Sequence, residues 1–151
     1  AQPKLLEIGK SEVIRHGKQV AIVALGNMVE VALDTAAMLE EKGISTAVIN
    51  ARWIKPLDAA TIEFFARGCE VLCTMEDHVL NNGFGCGVME LLADQHITTP
   101  VVRIGWPDQF IEHGTVPILR AKHGLTAEAA EEKILHALPA TQVSTRTIPA
   151  A

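Results

Sequence analysis

The sequence predicts a layered α/β domain on a largely parallel sheet, and three observations point there. Five short apolar, β-branched runs punctuate the chain, at Glu12 to Arg15, Val20 to Leu25, Ser45 to Asn50, Glu70 to Met75 and Val101 to Ile104. Stretches with helical spacing separate all but the first two, as crossovers between parallel strands require. The 151 residues, 48% of them hydrophobic, suffice for one domain whose core needs no disulfide or metal.

The elements follow in order. Glu12 to Arg15 is short and weakly apolar, which suits an edge strand. His16-Gly17-Lys18 leaves too little chain for a crossover helix, so the first two strands run antiparallel, either as a hairpin or separated in the sheet. Asn27 can cap the first helix, with Glu30 closing a capping box. That helix stops before Gly43, shows Glu30, Asp34 and Glu41 to water, and turns Val29, Ala32, Leu33, Ala36 and Leu39 to the sheet. The second helix starts near Asp58, since Pro56 disfavours helix at Lys55, and buries Ile62, Phe65 and Ala66. In the third, Phe84, Val88, Leu91 and Leu92 fall at i, i+4, i+7 and i+8. A short helix from Thr115 to Lys122 precedes the last one. There Thr126 is the N-cap, Ile134, Leu135 and Leu138 point inward, and Glu131, Glu132 and Lys133 face water. The domain therefore covers 1–139. From Ala140 the composition shifts to Thr, Ser, Ala and Pro without periodicity, which predicts a flexible tail over 140–151.

Composition excludes several partners. With 13 basic residues against 18 acidic and a net charge of -5, nothing favours a phosphate backbone, and six Phe and Trp with no Tyr make a poor stacking platform. No nucleic-acid partner is expected. The longest apolar stretch, Val20 to Leu25, is far short of the roughly 20 residues that cross a bilayer, so no membrane partner is expected either. Ala1 to Lys10 lacks the character of a signal peptide, and Cys69, Cys73 and Cys86 read as reduced thiols. Both point to a cytoplasmic location.

In an open parallel sheet, ligands and partners gather at the carboxyl ends of the strands. Gly26-Asn27, Arg52 with Lys55, Glu76-Asp77-His78 and Trp106 to Gly114 all fall there. Glu76 beside His78 is raw material for acid and base catalysis, yet a polar strand terminus with a capping role accounts for the same residues. Glu112-His113 carries the same ambiguity. Amides near Gly83, Gly85 and Gly87 could hold a phosphate, but a dinucleotide fingerprint would need glycine at Val88. The alternative is that small residues let this helix start approach another backbone. Cys69 and Cys73, if both lie in an extended strand, are more than about 10 Å apart, too far for one metal ion. No serine sits in a nucleophile elbow, and Cys86 has no evident base.

Five runs carry a resemblance: Ile8-Gly-Lys-Ser-Glu-Val13, VAIVALGNMVE at 20–30, ARWIKPLD at 51–58, TMEDHVLNNGFGCGVMELLAD at 74–94 and GWPDQFIEHGT at 105–115. Residues 8–138 resemble the C-terminal domain of the 1-deoxy-D-xylulose-5-phosphate synthases, a branch of the transketolase-like thiamine diphosphate enzymes. Asn82 stands where that family usually has Gly, and Cys86 where it usually has Ser. The resemblance implies a three-layer α/β/α fold whose mixed five-stranded sheet is mostly parallel with one antiparallel edge strand. It implies a full-length transferase that condenses pyruvate with glyceraldehyde 3-phosphate, feeding isoprenoid and thiamine biosynthesis. Thiamine diphosphate and Mg2+ are held in that family by the two preceding domains, through a Gly-Asp-Gly motif absent here. This chain is therefore expected to bind no cofactor or metal, to carry no catalytic residue and to be inactive alone.

What remains for it is a structural and subunit-contact role, with the preceding synthase domains and a second copy in a homodimer as partners. The residues expected at those contacts are Glu76, His78, Gly83, Phe84, Gly85, Trp106, Phe110 and His113. Trp106, Phe110 and Ile111 put large apolar groups in a loop otherwise expected to be polar. The alternatives are a stand-alone binding or regulatory module on the same fold, or the same domain of another transketolase-like enzyme.

Overall fold

The structure, a computed structural model, describes residues 5–139. The expected tail over 140–151 lies outside the described residues. Ten elements follow in order: β1 (Glu12–Arg15), β2 (Val20–Ala24), α1 (Met28–Glu41), β3 (Thr46–Asn50), α2 (Ala59–Gly68), β4 (Val71–Val79), α3 (Phe84–Asp94), β5 (Val101–Trp106), α4 (Val116–His123) and α5 (Ala127–Ala137). The strands form one sheet in the order β1-β3-β2-β4-β5. β1 pairs antiparallel with β3, and the other three pairings are parallel. Of the two arrangements open for β1 and β2, the separated one holds, because β3 lies between them.

Two apolar layers sandwich the sheet. On one face Val20, Ile22, Ala24, Val48, Cys73 and Met75 meet α1 and α5 through Met28, Ala32, Leu39, Ala130 and Ile134. On the other, Ala21, Val23, Ile49 and Leu72 meet α2 and α3 through Ile62, Phe65, Phe84, Val88 and Leu92. The alternation along β2 sends successive side chains into opposite layers, which is why this run is apolar at every position. α4 buries no residue in either layer.

The local signals match the structure at the caps of α2 and α5 and depart from it at Asn27, Leu33, Glu131 and Cys69. Thr126 caps α5, its hydroxyl accepting from the Ala129 amide at 3.3 Å, and Asp58 caps α2 from Thr61 at 3.3 Å. Asn27 makes no such bond. Its backbone is already helical (φ -69°, ψ -9°), Leu25 and Gly26 carbonyls take the amides of Met28 and Val29, and its side-chain amide donates to Asp77 instead. Leu33, expected on the sheet, is exposed, and Met28 and Thr35 are buried in the set with Ala32, Ala36 and Leu39. Glu131, expected in water, is buried because Lys42 reaches it from the end of α1 at 2.5 Å. Cys69 falls at the C-cap of α2 rather than in a strand.

Candidate functional site

The carboxyl edge of the sheet is built from the ends of β2, β3, β4 and β5 and the start of β1. β4 outruns its neighbour β2, whose last paired residue is Ala24, opposite Met75. Glu76, Asp77, His78 and Val79 thus extend past the sheet centre, held on one side by β5 through a register shift before Val79 and Trp106 pair. The sequence placed the end of this strand at Met75, because polar residues there break the apolar run.

Glu76 is fully buried. Its two carboxylate oxygens accept from the first amides of α3, Phe84 N at 2.6 Å and Gly85 N at 2.9 Å. A charge at this end meets both the unpaired amides and the positive pole of the helix. The glycines make room for it. A Cβ on Gly83 would lie 2.2 Å from Glu76 Oε2 and one on Gly85 2.6 Å from Thr74 Oγ1, while one on Gly105 would meet the His78 carbonyl at 2.9 Å. Of the two readings of Glu76 and His78, the geometry supports the capping one. His78 Nδ1 is 4.0 Å from Glu76 Oε2, beyond hydrogen-bond reach, and contacts the Val79 carbonyl at 3.0 Å. Of the two readings of the glycines, close approach likewise describes what is seen. Asn82 has φ +58°, a left-handed conformation that Asn tolerates better than most residues.

Asp77 points the other way and gathers three elements. It accepts from Asn27 Nδ2 at 2.7 Å, Trp106 Nε1 at 2.6 Å and Arg120 Nη2 at 2.6 Å. Partial burial pushes its carboxyl up, but these hydrogen bonds and the Arg120 charge outweigh it and hold the group below its ordinary value. Close by, Glu112 accepts from Lys122 and lies 3.3 Å from His123 Nε2. The Lys122 hydrogen bond foremost, with His123, holds Glu112 down to about 2. The Trp106 ring meets His123 edge-on at 5.6 Å. Because α4 puts no residue into either apolar layer, these contacts of Arg120, Lys122 and His123 are what fasten it.

The residues expected at contacts divide in two. Glu76, Phe84 and Gly85 are buried within the chain, so they hold α3 in place and cannot themselves be a contact surface. Trp106 is half-buried, its indole committed to Asp77. Gly83 is half-buried, while His78, His113 and Phe110 are exposed, Phe110 completely. Val116 and Ile118 of α4 add further exposed apolar surface. Sequence reasoning put Asn27 on this edge but as a helix cap rather than a partner of Asp77, and it missed Arg103 and Arg120. Arg103 Nη1 donates to the Leu80 carbonyl and to Cys86 Sγ, both at 3.1 Å. No local spacing links residues so far apart.

Carboxylates are the groups here that could hold a metal, and they are occupied: Glu76 by amides, Asp77 by three donors, Glu112 by Lys122. Among the described residues no three His, Cys, Asp or Glu side chains converge as metal ligands. The donor set does not fit a Mg2+ and diphosphate centre. No helix of the described residues is long and apolar enough to cross a membrane.

Comparison with known proteins adds to this geometry. The chain is 53% identical over 137 residues to 1-deoxy-D-xylulose-5-phosphate synthase of Methylacidiphilum infernorum, covering 91% of this chain and 22% of that protein. With the same synthase of Acidobacterium capsulatum it is 47% identical over 133 residues, 88% of this chain and 21% of the relative. It thus spans about one-fifth of these relatives' length. A solved split-gene transketolase, described as an inactive β4 tetramer, superposes with a TM-score of 0.83 at 37% identity, over 88% of this chain and 43% of that one. Residues 9–129 match the family described as Transketolase, C-terminal domain, and this chain belongs to that family.

Proposed function

We propose that this chain is the C-terminal domain of a cytoplasmic 1-deoxy-D-xylulose-5-phosphate synthase, and that its own part in that enzyme is structural and subunit contact. The observation that carries the reading is the 53% identity, across nearly the whole chain, to a synthase of which it spans 22%. The full-length enzyme condenses pyruvate with glyceraldehyde 3-phosphate on thiamine diphosphate, releasing carbon dioxide. The residues described here do not fit that cofactor with its metal, so no chemical step is assigned to them. The free state of Cys69, Cys73 and Cys86 agrees with a reducing compartment.

The contact role rests on the exposed part of the carboxyl edge. Phe110, Val116 and Ile118 form apolar surface on a loop and helix that no internal packing requires. They seat the second copy of a homodimer. Two measurements test the reading. The complete gene product should release labelled carbon dioxide from [1-14C]pyruvate in the presence of glyceraldehyde 3-phosphate, while the 151-residue chain alone should neither do so nor bind the cofactor with Mg2+ in a calorimetric titration. Phe110→Ala should weaken dimerisation in sedimentation by about thirtyfold, the effect of losing a hot-spot residue of about 2 kcal/mol. Its exposed ring predicts a denaturant melt within about 0.5 kcal/mol of the parent. Loss of stability with unchanged association would refute the contact.

A further inference from the structure

We infer that the run Ala51–Asp58 is a mount that fixes where the polypeptide enters this domain, and that the exposed apolar residues around it, Leu5, Leu6, Ile8 and Ile54, seat the domain preceding it in the full-length chain. The inference rests on reading this chain as the last fifth of a longer synthase.

The mount is made of bonds between two segments some 40 residues apart in sequence. Glu12 pairs with the Arg52 guanidinium, whose residue holds a left-handed backbone, φ +59°. Gly9 lies against Pro56 so closely that a Cβ there would be 2.9 Å from Pro56 Cγ. Ser11 donates both its amide and its hydroxyl to Asp58 Oδ2 at 2.9 Å, and Lys10 Nζ is 3.9 Å from Asp58 Oδ1. Asp58 is buried and also caps α2 through Thr61, so the entering strand is anchored to a helix start rather than to a loose loop. The result is that residues 9–12 have no freedom in direction.

That direction brings the chain in at the carboxyl edge, because β1 is antiparallel to β3 and therefore begins where β3 ends. Apolar residues of the entering segment and of the mount are without cover. Leu5 is 96% exposed, Ile8 69%, Ile54 60% and Leu6 52%. These four side chains, three in the entering segment and one in the mount, have no role in the core described above. The relatives are about four times this chain's length, and whatever precedes residue 5 in such a protein must start within a few residues of this surface. Chain continuity thus delivers the occupant, and the mount sets its position. This seat lies at the β1 and β3 end of the sheet, whereas Phe110 follows β5 at the other end. The two apolar surfaces therefore take different partners.

The test uses the complete polypeptide from the gene. Ile54 is exposed and outside the entering segment, so Ile54→Asp leaves the tryptic site at Lys10 and the folded core unchanged. Trypsin cleavage after Lys10 should accelerate at least about tenfold in Ile54→Asp as the seat opens, remain at the parent rate in Ile54→Leu, and remain at the parent rate in Phe110→Asp. Small-angle scattering of Ile54→Asp should show a larger radius of gyration. Parent-rate cleavage in Ile54→Asp, or acceleration in Phe110→Asp by as much, overturns the inference, as does a gene with no upstream domain. Synthase activity of the parent polypeptide is measured separately. An inactive parent whose Lys10 is exposed only by Ile54→Asp refutes the activity and keeps the seat; an active parent with no response to Ile54→Asp refutes the seat alone.

Discussion

Replacing Glu76 with glutamine tests how α3 is held. In the structure one carboxylate serves two amides, at 2.6 and 2.9 Å, from a position with no exposure to water. Glutamine keeps one acceptor oxygen, and its NH2 group then faces the other amide, donor against donor. A hydrogen bond to a charged group contributes about 1.5–3 kcal/mol, and an anion at a helix N-terminus about 0.3–1 kcal/mol more. Removing the charge also removes its desolvation cost, which offsets part of this loss. The orphaned amide decides the balance, because it cannot reach water, and the net destabilisation should be about 2–3 kcal/mol. At about 2–4 °C per kcal/mol for a domain near this size, the melting temperature should fall by roughly 5–10 °C. Circular dichroism melts of the 151-residue chain read this directly. Gly83→Ala should give a fall of similar size, since its Cβ would displace the same oxygen, and the double variant should fall short of the sum. A melt of Glu76→Gln within about 1 °C of the parent would refute the cap.

Two further predictions concern protonation and thiols. For Asp58, burial raises the carboxyl but hydrogen bonds from Ser11 and Thr61 outweigh it, leaving it below its ordinary 3.8. A lowered folded value means stability present above 3.8 and lost as pH falls through the lower folded value. The slope of melting temperature between pH 4.5 and 2.5 should therefore flatten in Asp58→Asn, and an unchanged slope would contradict it. Burial pushes the Cys73 thiol up to about 12 and that of Cys69 up to about 11, so with Ellman's reagent at pH 8 the native chain should react first at half-buried Cys86. Labelling of Cys73 at the same rate, located by mass spectrometry, would show that the sheet centre opens.

The sequence by itself determined the order of the ten elements, the antiparallel direction of β1 and the burial of Ile62, Val88 and Ile134. Each is reported by a local period or by a connection too short for a helix, and such signals survive without knowledge of the fold. The runs 8–13, 20–30, 51–58, 74–94 and 105–115 together also pointed to the family. Tertiary structure alone decided what the polar residues do. Asp77 meets partners 29, 43 and 50 residues away, and Glu131 meets Lys42 across 89 residues. Nothing in the spacing of Asn27 distinguishes a cap from a donor to another strand, because a short polar side chain serves whichever group folding brings within 3 Å. Exposure of Phe110 beside half-buried Trp106 was equally out of reach. Both are large and apolar and close in sequence, but Trp106 ends β5 with its indole bonded to Asp77, whereas Phe110 lies in the loop beyond and stays in water.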